Sequence, residues 1–162
     1  MSQDDELFHV QLGKDHPNYQ SVALRRRPGY VNYEVVEVDT EKLIHYSNQD
    51  IRGYVLAPVE DWQPAKREGI FCFLAPPGPR EQPVEMPVIS FNERDVVQYE
   101  RKWRFFKKAV VYRLKYIGYT NGRHRTRYLY FAGAKRIPVM CHISEVDALK
   151  THCAPLDPLL AF

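Results

Sequence analysis

The sequence lacks any run of eighteen consecutive apolar residues, about the length that a membrane-spanning helix requires. Its first residues, Met-Ser-Gln-Asp-Asp-Glu, are acidic and lack the apolar segment of a secretory signal. Cysteine is scarce, because the chain has only three, an odd number, and none of them forms a Cys-x-x-Cys motif. We therefore expect a protein of the reducing cytoplasm with no membrane span.

Acidic residues are missing from one long stretch. Between Arg101 and Arg136 there are twelve Lys or Arg and no Asp or Glu, so this stretch carries a charge of +12. The net charge of the whole chain is +3, so the remaining residues carry −9. The asymmetry predicts an electropositive face whose usual partner is a polyanion such as DNA, and a face that only keeps the protein soluble is the alternative. The side chains predicted to contact DNA are Arg101, Arg104, Lys107, Lys108, Arg113, Lys115 and Arg127.

The length of 162 residues and the hydrophobic fraction of 44% predict one domain that buries a proper core. We place this domain at residues 1–154. The remaining residues, 155–162, form an apolar tail with three leucines and a phenylalanine. We expect the tail to dock on the domain, and binding to a partner protein is the alternative.

The part of the sequence with the clearest periodicity begins at residue 112. Residues 112–116 alternate apolar and basic side chains, which predicts a strand with one buried face. A turn at Thr120-Asn121-Gly122 follows, and then a short helix that ends at Gly133, where a C-cap glycine belongs. A second alternation over residues 137–141 predicts another strand.

Two further helices are predicted from capping signals. A strand over residues 30–38 leads into a short helix, for which Asp39 or Thr40 serves as the N-cap. A closing helix is predicted over residues 144–153, with Ser144 as its N-cap. Strands, short helices and a mixed sheet together predict a compact α+β domain.

The middle of the chain predicts a strand, a loop and a helix. The apolar run 70–74 predicts a buried strand in which Cys72 is a small core residue. Five prolines predict an extended loop over residues 75–87. Asn92 is a suitable N-cap for an amphipathic helix whose apolar stripe would face the core. That stripe consists of Val96, Tyr99, Trp103, Phe106 and Val110.

The junction Gly122–Thr126 predicts a phosphate-binding site. The first turn of a helix presents unpaired N–H groups and the positive end of its dipole, and a preceding glycine lets the backbone approach a ligand. Basic side chains crowd the same end, so a bound anion would relieve their repulsion. A solvated basic face is the alternative. The side chains and backbone groups predicted to bind phosphate belong to Asn121, Gly122, Arg123, His124, Arg125 and Thr126.

The stretch Asn121-Gly122-Arg123-His124-Arg125, about a dozen residues before Ile137-Pro138-Val139, resembles the box shared by the ParB/sulfiredoxin superfamily. Residues 85–89 look like the strand that precedes the box in that superfamily, and residues 35–43 look like its opening strand and helix. The resemblance covers residues 31–153. It implies a single α+β domain with a small mixed sheet, helices packed around it, and nucleotide binding at the box.

Within that superfamily, the length and layout look most like the plasmid fertility-inhibition factors, of which the oncogenic suppression protein is the type. This resemblance implies a bacterial protein that hydrolyses ATP and cleaves DNA, and so blocks plasmid or T-DNA transfer. It also implies DNA, a nucleotide and a conjugation coupling protein or relaxosome component as partners. The implied location is the cytoplasm, with attachment to a transfer apparatus at the inner membrane as the alternative.

The catalytic roles are assigned on the same resemblance and on charge. Arg125 is expected to neutralise transition-state charge, His124 to act as a general acid or phosphate donor, and Arg123 to assist. Magnesium requires carboxylates, for which Glu93, Asp95 and Glu145 are candidates because they flank predicted strand ends. Sulfiredoxin chemistry is excluded, because Arg123 occupies the position of the attacking cysteine.

Two other classes of function stay open on the sequence. The first is a nucleotide-dependent DNA-binding module that does not cleave DNA, although no helix-turn-helix domain follows the box. The second is a non-enzymatic interaction protein that blocks a transfer channel through its basic face or its tail.

Overall fold

A computed structural model describes residues 6–50, 53 and 55–156 of the chain. Within these residues the chain forms seven strands and four helices. In chain order they are β1 (Leu7–Gln11), β2 (Ser21–Arg25), β3 (Tyr33–Asp39), α1 (Thr40–Ser47), α2 (Pro64–Leu74), β4 (Val84–Glu85), β5 (Val88–Trp103), β6 (Phe106–Asn121), α3 (Arg123–Phe131), β7 (Arg136–His142) and α4 (Val146–Cys153).

The strands form two sheets. The larger has the order β3-β7-β5-β6, in which β7 runs antiparallel to β3 but parallel to β5, and β5 runs antiparallel to β6. The smaller has the order β1-β2-β4. This arrangement confirms the predicted α+β fold with a mixed sheet. None of the helices in the described part of the chain has the length and apolar character that a membrane span needs.

The elements around the box form for the reasons that the sequence suggests. Asp39 accepts a hydrogen bond of 2.9 Å from the N–H of Lys42 and so caps α1. Helix α3 ends where Gly133 adopts a φ of 88°, and the N–H of Ala134 returns to the carbonyl of Leu129 at 2.9 Å. Helix α1 packs on β3 and β6 of the larger sheet, whose strand β7 is almost wholly buried, and α3 packs on α1 and α2 with Tyr128 and Leu129 buried.

The predicted helix that begins at Asn92 is wrong. Strands β5 and β6 instead pair along their whole length and form a two-stranded ribbon that turns at residues 104–105. The stripe assigned to the core is solvent-exposed at Tyr99 (67%), Trp103 (77%) and Phe106 (69%). Valines and aromatic residues favour a strand over a helix, and pairing with the strongly patterned residues 112–116 decides between the two.

The predicted strand over residues 70–74 is also wrong, because these residues are the last turn of α2. Cys72 lies on the outer side of that helix and is exposed, so it is not a core residue. The predicted closing helix is present as α4, but it begins at Val146 after a short 3-10 turn. Most of the predicted apolar tail, residues 157–162, lies outside the described residues.

Candidate functional site

Gly122 is the N-cap of α3, and the reason for a glycine there is its contact with the connection between β4 and β5. Its φ is 89°, in the left-handed region that favours glycine. A Cβ at this position would lie 2.8 Å from both Cα and Cβ of Pro87. The close approach is therefore to Pro87, and it presses the start of α3 against the end of the β4–β5 connection.

Arg125 is held in a fixed orientation by two acceptors. Its Nη1 group donates a hydrogen bond of 2.6 Å to the backbone carbonyl of Glu85, and its Nη2 group donates to the side-chain oxygen of Asn121. Burial lowers the pKa of Arg125, the Glu85 carboxylate raises it, and Arg27 lowers it. Because a guanidinium has five N–H donors, these two bonds leave three for the oxygens of a ligand.

Thr126 and Arg127 face the interior. Thr126 is fully buried, and both its backbone N–H and its hydroxyl donate to the carbonyl of Gly122, at 2.9 and 3.0 Å. Arg127 is only 9% exposed and donates to the side-chain oxygen of Asn48. The geometry thus gives these two predicted ligand-binding residues contacts inside the fold.

His124 and Arg123 lie on the outer side of α3. The His124 ring contacts the Trp62 ring edge-to-face, with centroids 5.8 Å apart. Burial lowers the pKa of His124, and the nearby cations Lys66 and Arg123 lower it further, which favours the neutral imidazole. The guanidinium of Arg123 stands over the ring of Tyr119, 5.7 Å from its centroid.

A depression of about 410 Å³ joins the box to helix α2. Polar and cationic side chains line it together with two apolar side chains of α2, Ile70 and Phe73, which we call the α2 wall. Glu85 also lines it, and the carboxylate of Glu85 lies 3.6 Å from the guanidinium groups of both Arg25 and Arg27. The lining residues of the box are Asn121, Gly122, Arg123, His124 and Arg125.

Sequence reasoning missed Glu85 and the α2 wall. Glu85 stands immediately before the Met-Pro-Val-Ile stretch. The pairing of Val88 in β5 with Asn121, together with the hydrogen bond from Arg125 to the Glu85 carbonyl, brings it to the box. The signal that points to α2 is weak, because residues 70–74 alone do not distinguish a strand from a helix.

The structure places the carboxylates proposed for magnesium on other parts of the fold. Glu93 lies along the β5–β6 ribbon, about 17 Å beyond Val88 at the usual rise of a strand. It forms an ion pair of 2.6 Å with Arg113, and Asp95 lies further out on the same strand. Glu145 accepts a hydrogen bond of 3.1 Å from the backbone N–H of Phe91. Among the described residues, no three His, Cys, Asp or Glu side chains converge on one point.

The predicted DNA-contacting cations are divided between the ribbon and the core. Arg101, Arg104, Lys107 and Lys108 are exposed at the end of the ribbon. Arg113 and Lys115 lie lower down the same ribbon, opposite Asp95 and Glu93 respectively. Arg127, as described above, lies in the interior of the domain.

The sequence and the fold of the chain are both similar to those of known proteins. A profile of the family described as plasmid fertility inhibition factor matches residues 35–154. The fold is similar to the crystal structure of Oncogenic Suppression Activity Protein, a plasmid fertility inhibition factor, in a gold(I) cyanide derivative. That match has a TM-score of 0.60 and 13% sequence identity, and it covers 91% of this chain and 68% of the other. No curated protein sequence matches the chain significantly.

Proposed function

Because the chain belongs to the plasmid fertility inhibition factor family, we propose that it inhibits plasmid or T-DNA transfer by hydrolysing ATP and by binding and cleaving DNA. The proposed location is the bacterial cytoplasm. The observation that carries the proposal is Arg125, whose guanidinium is fixed by Glu85 and Asn121 at the edge of an open cationic depression.

The depression suits the triphosphate of a nucleotide. Its cations supply charge, and the N–H groups of His124 and Arg125 precede the first helical hydrogen bond of α3, which runs from Thr126 to Gly122. The apolar wall of Ile70 and Phe73 is a suitable surface for the base or ribose of the same nucleotide. Phosphate and base would thus contact opposite sides of one depression.

In hydrolysis, water would attack the terminal phosphorus of ATP, and the bond from that phosphorus to the bridging oxygen would break, so that ADP leaves. Arg125 is positioned to neutralise the negative charge that develops on these oxygens, and its anchoring means that little reorganisation is needed during the reaction. The lowered pKa of His124 favours its neutral ring, which is suited to accept a proton or to donate one hydrogen bond to phosphate and is less suited to be a general acid.

Glu85 is the carboxylate that fits a magnesium ion at this site. Magnesium usually binds through one or two carboxylates, several waters and the substrate phosphates, so one carboxylate beside a phosphate site is sufficient. The ion, when bound, would neutralise phosphate charge. Its binding would separate Glu85 from Arg25 and Arg27, with which the carboxylate pairs now.

DNA would bind the cations of the ribbon. One strand of this ribbon, β6, ends at the box. The ribbon and the box share β6, so the two sites are connected by one continuous element. A second candidate function is nucleotide-dependent DNA binding without cleavage, with a coupling protein or relaxosome component as a further partner. The observation that favours it is the single carboxylate, Glu85, among the residues that line the depression.

The test incubates the pure protein with magnesium, ATP and supercoiled plasmid, and measures both phosphate release and DNA nicking. Arg125→Ala is compared with wild type after circular dichroism has shown equal folding. Arg136→Ala is the matched control, because Arg136 forms an exposed ion pair of 3.4 Å with Glu37 far from the box. We expect Arg125→Ala to lose at least about 100-fold in phosphate release. Turnover equal to that of the control would exclude the box from catalysis.

A further inference from the structure

The outer end of the β5–β6 ribbon is aromatic and basic at once. Residues 101–108 read Arg-Lys-Trp-Arg-Phe-Phe-Lys-Lys, five cations and three aromatic residues with no acid. All eight are exposed, and Trp103, Phe105 and Phe106 present 77%, 88% and 69% of their surface to solvent. An apolar cluster of this size on an exposed turn marks an interaction site rather than a part of the core.

The ribbon carries this tip far from the rest of the domain. Phe91 and Ile117 are the last buried residues of the two strands, and the ribbon continues about 40 Å beyond Phe91 at a rise of about 3.3 Å per residue. Beyond that point the pairing of the two strands is its main support. The box begins after Asn121, at the opposite end of β6, so the tip is a separate surface from the depression.

Register places the charged and the aromatic side chains in adjacent rows. Trp103 lies opposite Phe106, and Arg101 lies opposite Lys107, with a shift of register between the two pairs. Two cations facing each other across a strand pair are destabilising on their own, and an anion between them removes that penalty. The aromatic pair, immediately next to them, offers two flat π-faces beside the place where the anion would lie.

The alternation of cations with exposed aromatic rings fits a single-stranded nucleic acid better than a duplex. In a single strand the phosphates and the unstacked bases lie side by side, so one segment satisfies both rows. In a duplex the base faces are stacked on each other and are not available to Trp103 and Phe106. An acidic protein surface would satisfy the cations, but it does not present a planar group at each repeat as a single strand does.

We propose that the ribbon tip binds single-stranded DNA, with bases stacked on Trp103 and Phe106 and phosphates paired with Arg101 and Lys107. The inference rests on the proposed DNA-directed function, and it adds that the preferred substrate is an unpaired strand. The box would then act on a nucleotide while the tip, at the far end of β6, holds the strand.

The experiment measures binding of a 20-nucleotide single strand and of the matching duplex by fluorescence anisotropy. We expect Trp103→Leu to weaken single-strand binding by roughly tenfold and duplex binding much less, because leucine keeps the apolar bulk and removes the π-face. Trp103→Phe should keep most of the affinity. Trp103 should also give a fluorescence change on binding, since the second tryptophan, Trp62, is 6% exposed and remote from the tip.

Two controls separate stacking from charge and from folding. Lys107→Gln should weaken both forms of DNA alike and should reduce the slope of log K against log[salt] by about one. Val97→Ala, an exposed and non-aromatic change on the same ribbon, should leave binding unchanged. Unchanged thermal unfolding in all variants would show that the ribbon stays paired.

Several outcomes would overturn the inference. One is equal single-strand binding by wild type and Trp103→Leu, and another is an equal loss on duplex and single strand. A third is that Trp103→Leu converts a dimer to a monomer in sedimentation without changing DNA affinity, which would make the tip a contact between copies. If wild type binds DNA but is insensitive to Trp103, only this inference fails. If it binds no DNA at all, the DNA part of the proposed function fails too.

Discussion

The Nη1 group of Arg125 lies 2.6 Å from the carbonyl oxygen of Glu85, a residue forty positions earlier in the chain. This contact joins the first turn of α3 to the short strand β4. Asn121, at the end of β6, holds the second nitrogen of the same guanidinium. The arginine therefore locks three chain segments together and is positioned before any ligand arrives.

Replacing Arg125 by lysine tests this double anchoring. A lysine ammonium is a single point charge and cannot span two acceptors and a ligand as a planar guanidinium does. We expect Arg125→Lys to lower the free energy of unfolding by about 1–2 kcal/mol and ATP turnover by at least about tenfold. Urea unfolding and phosphate release measure the two effects. Arg136→Lys should change neither, and equal behaviour of the two variants would contradict the assignment.

Gly122 provides a second prediction. In Gly122→Ala the new Cβ would meet Pro87 at 2.8 Å, and the residue would keep a positive φ, so we expect a loss of about 2–3 kcal/mol in stability. The matched control is Gly69→Ala in α2, where a Cβ meets nothing within 4 Å. That variant should gain about 0.5–1 kcal/mol, because alanine favours a helix. Thermal unfolding distinguishes the two, and a neutral Gly122→Ala would contradict the steric argument.

Substitutions of Thr126 distinguish a role in stabilising the first turn of α3 from a role in binding a ligand. The buried hydroxyl of Thr126 donates to the carbonyl of Gly122 at 3.0 Å, so Thr126→Val should cost about 1 kcal/mol and leave nucleotide affinity nearly unchanged. Thr126→Ser keeps the hydroxyl and should recover most of that loss. Calorimetric titration with a non-hydrolysable ATP analogue provides the second readout. A large loss of affinity in Thr126→Val, at equal stability, would restore the phosphate contact predicted from the sequence.

Arg127 and Lys107 carry the same charge in opposite environments. Arg127 is 9% exposed and bonded to Asn48, so Arg127→Met should lower stability by about 2–3 kcal/mol and leave the salt dependence of DNA binding unchanged. Lys107→Gln should leave stability nearly unchanged and should change the slope of log K against log[salt] by about one. Denaturant unfolding and anisotropy titrations at several salt concentrations measure both. A reduced slope in Arg127→Met would place this residue on the DNA surface after all.

The pH dependence of nucleotide binding tests His124. Because burial, Lys66 and Arg123 lower its pKa, the folded protein resists protonation of this ring, and acidification through the usual range of histidine should reduce stability. A bound phosphate favours the charged ring and raises that pKa, so affinity should increase as the pH falls through the range in which the ring gains its proton. His124→Gln is the comparison, because protonation of the nucleotide itself affects binding to this variant and to wild type alike. Identical pH profiles for the two proteins would exclude a contact between His124 and phosphate.

The box and its flanking elements could be predicted because their signals are local. The strand over 137–141, the cap at Asp39 (one of the two residues predicted for it) and the glycine at 133 each depend on signals within a few residues of chain. Each of these features appears in the structure where it was expected, although residues 137–141 are all buried and do not alternate. The family resemblance follows from the same short segments. The family itself is confirmed by the profile match over residues 35–154.

The ribbon could not be predicted, because its signals conflict. Apolar residues spaced at three and four between Val96 and Val110 match a helix, and the turn at Arg104-Phe105 has no glycine or asparagine to announce a hairpin. Periodicity also assumes that apolar side chains are buried, whereas Trp103 and Phe106 are exposed. The assumption that apolar residues are buried fails for a segment whose apolar residues form an interaction surface.

The sequence alone determined the charge separation, the glycine-led start of α3 and the order of most elements, because these depend on composition and on contacts between near neighbours. Only the tertiary structure decided which side chains share a site. It placed Glu85 and the α2 wall beside Arg125, turned Thr126 and Arg127 inward, and moved Glu93 out along the ribbon. Such neighbours are set by strand register and helix packing over forty or more residues, and no local pattern records them.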